Sequence, residues 1–262
     1  MQISNSAGLG FQRSHDQASS AQQTQMQRLS SGQRINSAKD DAAGLSISTK
    51  MDSQSRSTSV AIRNTMDGIS RTQVEDGALS ATTDDLQRIR ELKLQQNNGL
   101  LAQGDKDALQ SEINQRMSAI EDRFEQTDFN GQNVFSGDDL TFQTGANAGQ
   151  TTTFEGRDLG QSFADLGLKA GEDVSLDQLD QALEAVGSRR SELGAVSNRL
   201  ESQVEFSELK NEMTQQANSR IRDTDFAQAA SDKAKADIQN QASISVQAQA
   251  NQNQKNVLQL LK

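Results

Sequence analysis

Residues able to do chemistry are few in this chain, and their spacing argues against a reaction centre. His15 is the single histidine among 262 residues, and cysteine is absent. Zinc coordination and His- or Cys-based nucleophilic triads therefore lack a ligand or base set. The phosphate-cradling loop G-x-x-x-x-G-K-[ST] and the dinucleotide fingerprint G-x-G-x-x-G are both missing from the sequence. Acidic pairs stand at Asp40-Asp41, Asp84-Asp85 and Asp138-Asp139. They lack the spaced ligands of a calcium loop and fall at expected helix starts and turns, where capping is the commoner role. No catalytic, metal or cofactor residue is assigned, and the chain reads as something other than an enzyme.

The elements that would have to position such groups are long helices. From Ala195 to Lys262 there is neither Gly nor Pro, and the whole chain contains no proline. As one helix this stretch would reach roughly 100 Å at ~1.5 Å per residue. The expected break is Arg222-Asp223-Thr224-Asp225, where polar side chains can end one helix and cap the next. Upstream, Leu109, Ile113, Met117, Ile120 and Phe124 share a helical face, with Asp105 as the expected cap. Leu79, Leu86, Ile89 and Leu92 mark another helix before it. Ser175 and Gln178 form a capping box that opens a heptad row of Leu179, Val186, Leu193 and Leu200. Leu176, Leu183 and Val204 are its expected companions, in a register that fails at Arg190 and Ser197.

Between the helical halves the composition changes. Glycines and phenylalanines concentrate from Phe129 to Gly171. The Thr-rich alternation at 140–144 and 151–155, joined through Gly145 to Gly149, predicts a β-hairpin. The fold class expected is mainly α: a long antiparallel coiled-coil helical rod built from both chain halves, with a small central β-hairpin. The net charge of −10 gives no clustered cationic face for phosphates, so nucleic acid is not an expected partner. No apolar run is long enough to span a membrane, so no membrane insertion is expected.

The last segment is different in kind. Phe226, Ala230, Ala234, Ile238, Ala242, Val246 and Ala250 recur every four residues. Such a row drifts ~40° per step around a 3.6-residue helix and touches more than one neighbour. A helix this polar and Ala-rich makes sense when surrounded by copies of itself. The first thirty residues, rich in Gln and Ser, are equally unable to bury a face alone. Both ends are therefore expected to order on assembly.

The run Arg28-Leu-Ser-Ser-Gly-Gln-Arg-Ile-Asn-Ser-Ala-Lys-Asp-Asp-Ala-Ala-Gly-Leu-Ser-Ile-Ser48 closely resembles bacterial flagellin. Its residues alone say helix start: a break at Gly32, then Ser37 and Asp40 as a capping box, with Asp40 and Asp41 in a first turn. The resemblance continues through Asn64 to Ser70, Gln87 to Leu92, Glu112 to Arg116 and Phe129 to Gly131. It resumes in Arg190 to Leu200, Ser219 to Ile221, Asp225-Phe226, Ala248 to Asn251 and Asn256 to Leu258. Asn253-Gln254 stand where the family often has Val-Pro, and Met1 to Gln25 match only loosely.

This resemblance implies a minimal flagellin without outer variable domains, an extracellular subunit that polymerises into the flagellar filament for swimming motility after type III export. It implies an N-terminal inner-tube helix and linker at 1–44, rod segments at 45–130 and 173–222, a turn-rich segment with the hairpin at 131–172, and a C-terminal inner-tube helix at 223–262. The winding row, extended by Val257, Leu260 and Leu261, becomes the expected filament interface. Implied partners are further copies of the chain, an export chaperone, and the filament cap and junction proteins. By motif, Arg88, Leu92 and Glu112 match the contacts of flagellins sensed by the animal Toll-like flagellin receptor. Read as residues alone, Asp84–Arg88 and Glu112–Arg116 are solvated i,i+4 pairs and Leu92 packs internally. A hook–filament junction protein is the runner-up. A secreted signalling protein or enzyme on the same scaffold would need an inserted domain, and none is visible.

Overall fold

A computed structural model of the chain describes the backbone of residues 6–260, with side chains described for 10, 12–253, 255 and 256. It is 75% helical. The elements in order are α1 (Ser6–Ser31), α2 (Ala42–Gln96), α3 (Gln103–Gln126), β1 (Asp128–Phe129), β2 (Gln132–Asn133), β3 (Leu140–Gln143), β4 (Thr151–Phe154), α4 (Leu159–Asp165), α5 (Leu176–Arg222) and α6 (Phe226–Leu260). The fold class is as expected: helices from both halves and a small central hairpin. Two compact units are formed, one from residues 1–53 and 213–262, the other from 54–212. The expected boundary at 222/223 coincides with the end of α5, and that at 44/45 lies just inside α2. The compact units divide further along, because α2 and α5 continue unbroken from one to the other.

The central unit is built on three antiparallel helical stretches. The direction of α2 against α5 follows from the pairs Ser55–Asn211, Glu75–Arg189 and Arg90–Asp180. That of α2 against α3 follows from Asp85–Arg123 and Arg88–Glu112. Leu79, Leu86, Ile89 and Leu92 of α2 meet Ile113, Met117, Ile120 and Phe124 of α3 in one core, with Leu109 partly buried beside it. The heptad row Leu179, Val186, Leu193 and Leu200 is buried throughout. Of its expected companions, Leu176 and Leu183 pack at the margin of the same core. Leu176, Leu183 and Val204 are only half-buried, whereas Ala182 and Arg189 are buried. A two-helix seam would favour the first set; α5 is rotated because its neighbours also include the hairpin, which covers Arg189.

The turn-rich segment closes one end of that core. Phe124 makes edge-on contacts with Phe135 and Phe163, both at 5.0 Å between centroids. The hairpin forms where the alternation places it, β3 pairing β4 from Leu140↔Phe154 to Gln143↔Thr151. Its inward Phe154 is held between two cations: the Arg71 and Arg189 guanidinium carbons lie 4.7 and 4.8 Å from the ring centroid. Glu75 accepts from Arg189 at 2.7 Å and from Arg71 at 3.3 Å. Burial pushes the Glu75 carboxyl above its ordinary 4.5, outweighing the pull of both guanidinium groups. Burial likewise lowers Arg71. A second, smaller hairpin pairs β1 with β2 through Asn130 and Gly131, at φ 53° and 76°. These are the left-handed values of a two-residue hairpin turn, for which Asn-Gly is the favoured pair.

Several caps are as read and two are displaced. Ser175 and Gln178 make both arms of the capping box. Asp225 caps α6 by accepting from the Ala227 and Gln228 amides at 2.9 and 3.1 Å. Asp105 lies inside the first turn of α3, whose N-cap is Ala102 without a side-chain bond. Asp41 lies before α2 rather than within it, and accepts from the Gly44 amide at 2.8 Å.

Candidate assembly surface

In the terminal unit, α1 and α6 run antiparallel and pack along one another. The pairing is polar. Gln22 donates to Asp237 Oδ1 at 2.6 Å and accepts from Asn240 at 3.1 Å, while His15 Nδ1 lies 3.3 Å from Ser243 Oγ. Lys233 joins the same side through Asp237 at 2.9 Å. Among the described residues of the pair, the buried apolar side chains are Ala18, Ala229 and Ala236. Alanines remove little apolar area from water, so the described part of this contact contributes little hydrophobic stabilisation.

Both chain breaks read from the sequence meet at one end of this pair. Gly32, at φ +69°, accepts from the Thr224 amide at 3.0 Å. The Arg34 amide donates to the Arg222 carbonyl at 2.6 Å, and Gln33 bridges Asp223. The Arg34 guanidinium adds a bond to the Ile221 carbonyl. The segment after α1 is thus stitched to the segment before α6. This fixes the antiparallel entry of the two helices. Both breaks were legible in the sequence; that they pair was not.

Most of the winding row is exposed, although Ala242 and Val246 line a groove with Ser14, Gln17, Ala18 and Ala21 of α1. Phe226, Ile238 and Val246 are 57%, 66% and 44% exposed. Ala230, Ala234 and Ala242 are exposed as well, and Ala250 is half-buried. Each buried alanine of α6 is displaced by one or two positions from the row, so α1 takes the neighbouring face. Ile244, outside the expected row, is also exposed. The side chains of Val257 and Leu260 lie outside the described residues, as does Leu261 entirely. Buried polar atoms without a partner also concentrate here. Among the described residues they include Arg28 Nε, Ser48 Oγ, Asn218 Oδ1, Arg222 Nε, Thr224 Oγ1 and Asn240 Oδ1, all in the terminal unit. Each such atom carries a desolvation cost of about 1–3 kcal/mol.

The second group of expected residues lies on α2 and α3. Arg88 donates to Glu91 at 3.0 Å and to Glu112 at 3.4 Å, and these bonds raise its pKa. The pairing Asp84–Arg88 read along the helix gives way to these two. Glu112 also accepts from Arg116, as read. Arg88 and Glu112 are therefore brought together at the surface. Leu92 is 1% exposed and belongs to the core beneath them.

Comparison with known proteins now decides the family. The model of the bacterial flagellin N-terminal helical region matches residues 4–139, and that of the C-terminal helical region matches 176–261. This chain belongs to the bacterial flagellin family. A flagellin of Halalkalibacterium halodurans is 41% identical over 92% of both chains. A flagellin of Bacillus subtilis is 38% identical over 93% of both. A flagellar hook-associated protein of Vibrio parahaemolyticus shares the fold, with a TM-score of 0.60 at 15% identity over 70% of this chain and all of that one. As a flagellin, the chain is a structural subunit of the extracellular flagellar filament. Only residues 140–175 fall between the two family matches, and they hold the hairpin, α4 and the approach to α5.

Proposed function

We propose that this flagellin assembles by burying the outward row of α6 against neighbouring subunits, and that α1 and α6 become stable only in that setting. The observation that carries this reading is the row itself. Phe226, Ile238 and Val246 stay exposed when α6 pairs with α1. Burying each fully would contribute about 1.5–3 kcal/mol. The thin, alanine-based contact with α1 and the unpartnered polar atoms around it supply the other half of the argument: the terminal pair is poorly satisfied by itself. Val257, Leu260 and Leu261 extend the same interface. The work of the chain is this assembly, with no catalytic step. Its other partners are the export chaperone, the filament cap and the junction proteins.

The exposed Arg88–Glu112 pair is the part of the α2–α3 surface open to a Toll-like flagellin receptor, with Leu92 backing it from the core. Arg88→Ala would lower receptor activation by the soluble subunit without changing its helicity; unchanged activation would remove this partner from the proposal.

Deleting residues 226–262 tests the assembly reading. The truncated chain is expected to remain a soluble helical protein that never elongates from filament seeds. Filaments built from it would overturn the proposal.

A further inference from the structure

The chain contains two Asn-Gly steps, Asn98-Gly99 and Asn130-Gly131. Asparagine is a chemically labile residue. It is most so before glycine, where no side chain shields the next amide nitrogen from the Asn side-chain carbonyl carbon. The two steps have the same local chemistry and different surroundings.

Asn98 lies in the connection between α2 and α3, where Asn97 to Leu100 are all exposed, Leu100 at 93%. A Cβ placed on Gly99 would meet nothing within 4 Å, as at Gly131, so the two steps differ in backbone restraint and not in crowding. The Leu100 amide donates to Asn98 Oδ1 at 3.1 Å. This Asx turn folds the side-chain amide back along the chain, and its hydrogen bond polarises the carbonyl under attack. The backbone tether is local: the Asn98 amide donates to the Gln95 carbonyl at 3.0 Å and its carbonyl accepts from the Leu101 amide at 3.3 Å, with no strand pairing across it.

Asn130 is held differently. It and Gly131 form the centre of the β1–β2 turn, at φ 53° and 76°. Attack requires rotation about the Asn ψ angle to bring the glycine nitrogen behind the side chain. That rotation would break the register Asp128↔Asn133 and Phe129↔Gln132 and the adjoining Val134–Thr127 bond at 3.0 Å.

We propose that Asn98 is a site of spontaneous, non-enzymatic deamidation in the folded subunit, and that the fold protects Asn130. The Gly99 nitrogen bonds to Asn98 Cγ, and the side-chain nitrogen leaves as ammonia carrying the displaced proton. Water then opens the cyclic imide at either carbonyl, leaving aspartate or isoaspartate. One water is consumed and one ammonia released, with no change of oxidation state. The product adds a carboxylate to the α2–α3 connection, and the isoaspartyl form adds a methylene to its backbone.

The test is incubation of the folded full-length chain at mildly alkaline pH in oxygen-labelled water, followed by peptide mapping. Asn98 is expected to take up solvent oxygen about tenfold faster than Asn130, the ratio that an opening cost of about 1.4 kcal/mol would set. In denaturant the two rates should converge. Asn98→Ser should abolish the signal at 98 and leave that at 130 unchanged. Equal rates in the folded chain, no reaction at Asn98, or the same ratio in denaturant would each overturn the proposal.

Discussion

The guanidinium carbon of Arg189 lies 4.8 Å from the ring centroid of Phe154, so a charge on α5 holds down the hairpin from above the helical core. Arg71 takes the same role from α2, and Glu75 joins the two cations. The hairpin is thereby fixed to both helices that flank it by one ring and one carboxylate.

Removing Arg189 leaves the buried Glu75 carboxylate with one partner. Breaking a buried ion pair from one side costs about 3–5 kcal/mol. Arg189→Ala is therefore expected to lower the unfolding free energy of the central unit by that amount, with a matching fall in its denaturant midpoint at unchanged slope. Arg190→Ala, which removes an exposed pair with Asp76, is the control and should cost no more than about 1 kcal/mol. Comparable losses from the two would contradict the account of the cluster.

The β1–β2 turn should resist side chains at Gly131. A residue forced into the left-handed region costs about 1–2 kcal/mol, and a β-branched one is the least suited. Gly131→Val should lower the melting temperature and loosen exchange at the Val134 amide, whereas Gly99→Ala in the open connection should leave stability nearly unchanged.

The turn before α2 carries an acid-sensitive contact. Asp40 is held below its ordinary 3.8, first by the Ser37 hydroxyl and then by the Ser37 and Asn36 amides, all of which donate to it. A depressed carboxylate contributes stability above its unfolded pKa and loses it as pH falls through the folded one. Exchange protection of the Asn36 and Ser37 amides should therefore fall as pH drops below 3.8. Asp40→Asn should show low protection across the same range with no such step.

How much of this was legible depends on how local the signal is. The β3–β4 hairpin declares itself through alternating threonines between glycines, and the heptad from Leu179 to Leu200 through spacing alone. Asp225 was readable as a cap because the amides that donate to it belong to its own neighbours. Arg189 was not readable, since an arginine on a helix is ordinarily solvated. Its position three residues after Val186 and seven after Ala182 was the available signal, for it lies on the apolar face. The Asn130-Gly131 turn was available in the same way, as a hairpin dipeptide. The pairing of residues 32–34 with 222–224 joins parts of the chain far apart in sequence, and no local pattern announces it. The winding row on α6 was legible as a spacing, but which of its members stay exposed beside α1 required the packed pair.

The most direct measurement is seeded elongation of Ile238→Asp subunits, followed by light scattering and electron microscopy, with circular dichroism of the unassembled protein alongside. Ile238 is exposed and touches none of the bonds that pair α6 with α1. The account predicts unchanged helicity and loss of elongation. Filaments growing at the unaltered rate would contradict it, because the outward row of α6 would then not be what one subunit offers the next.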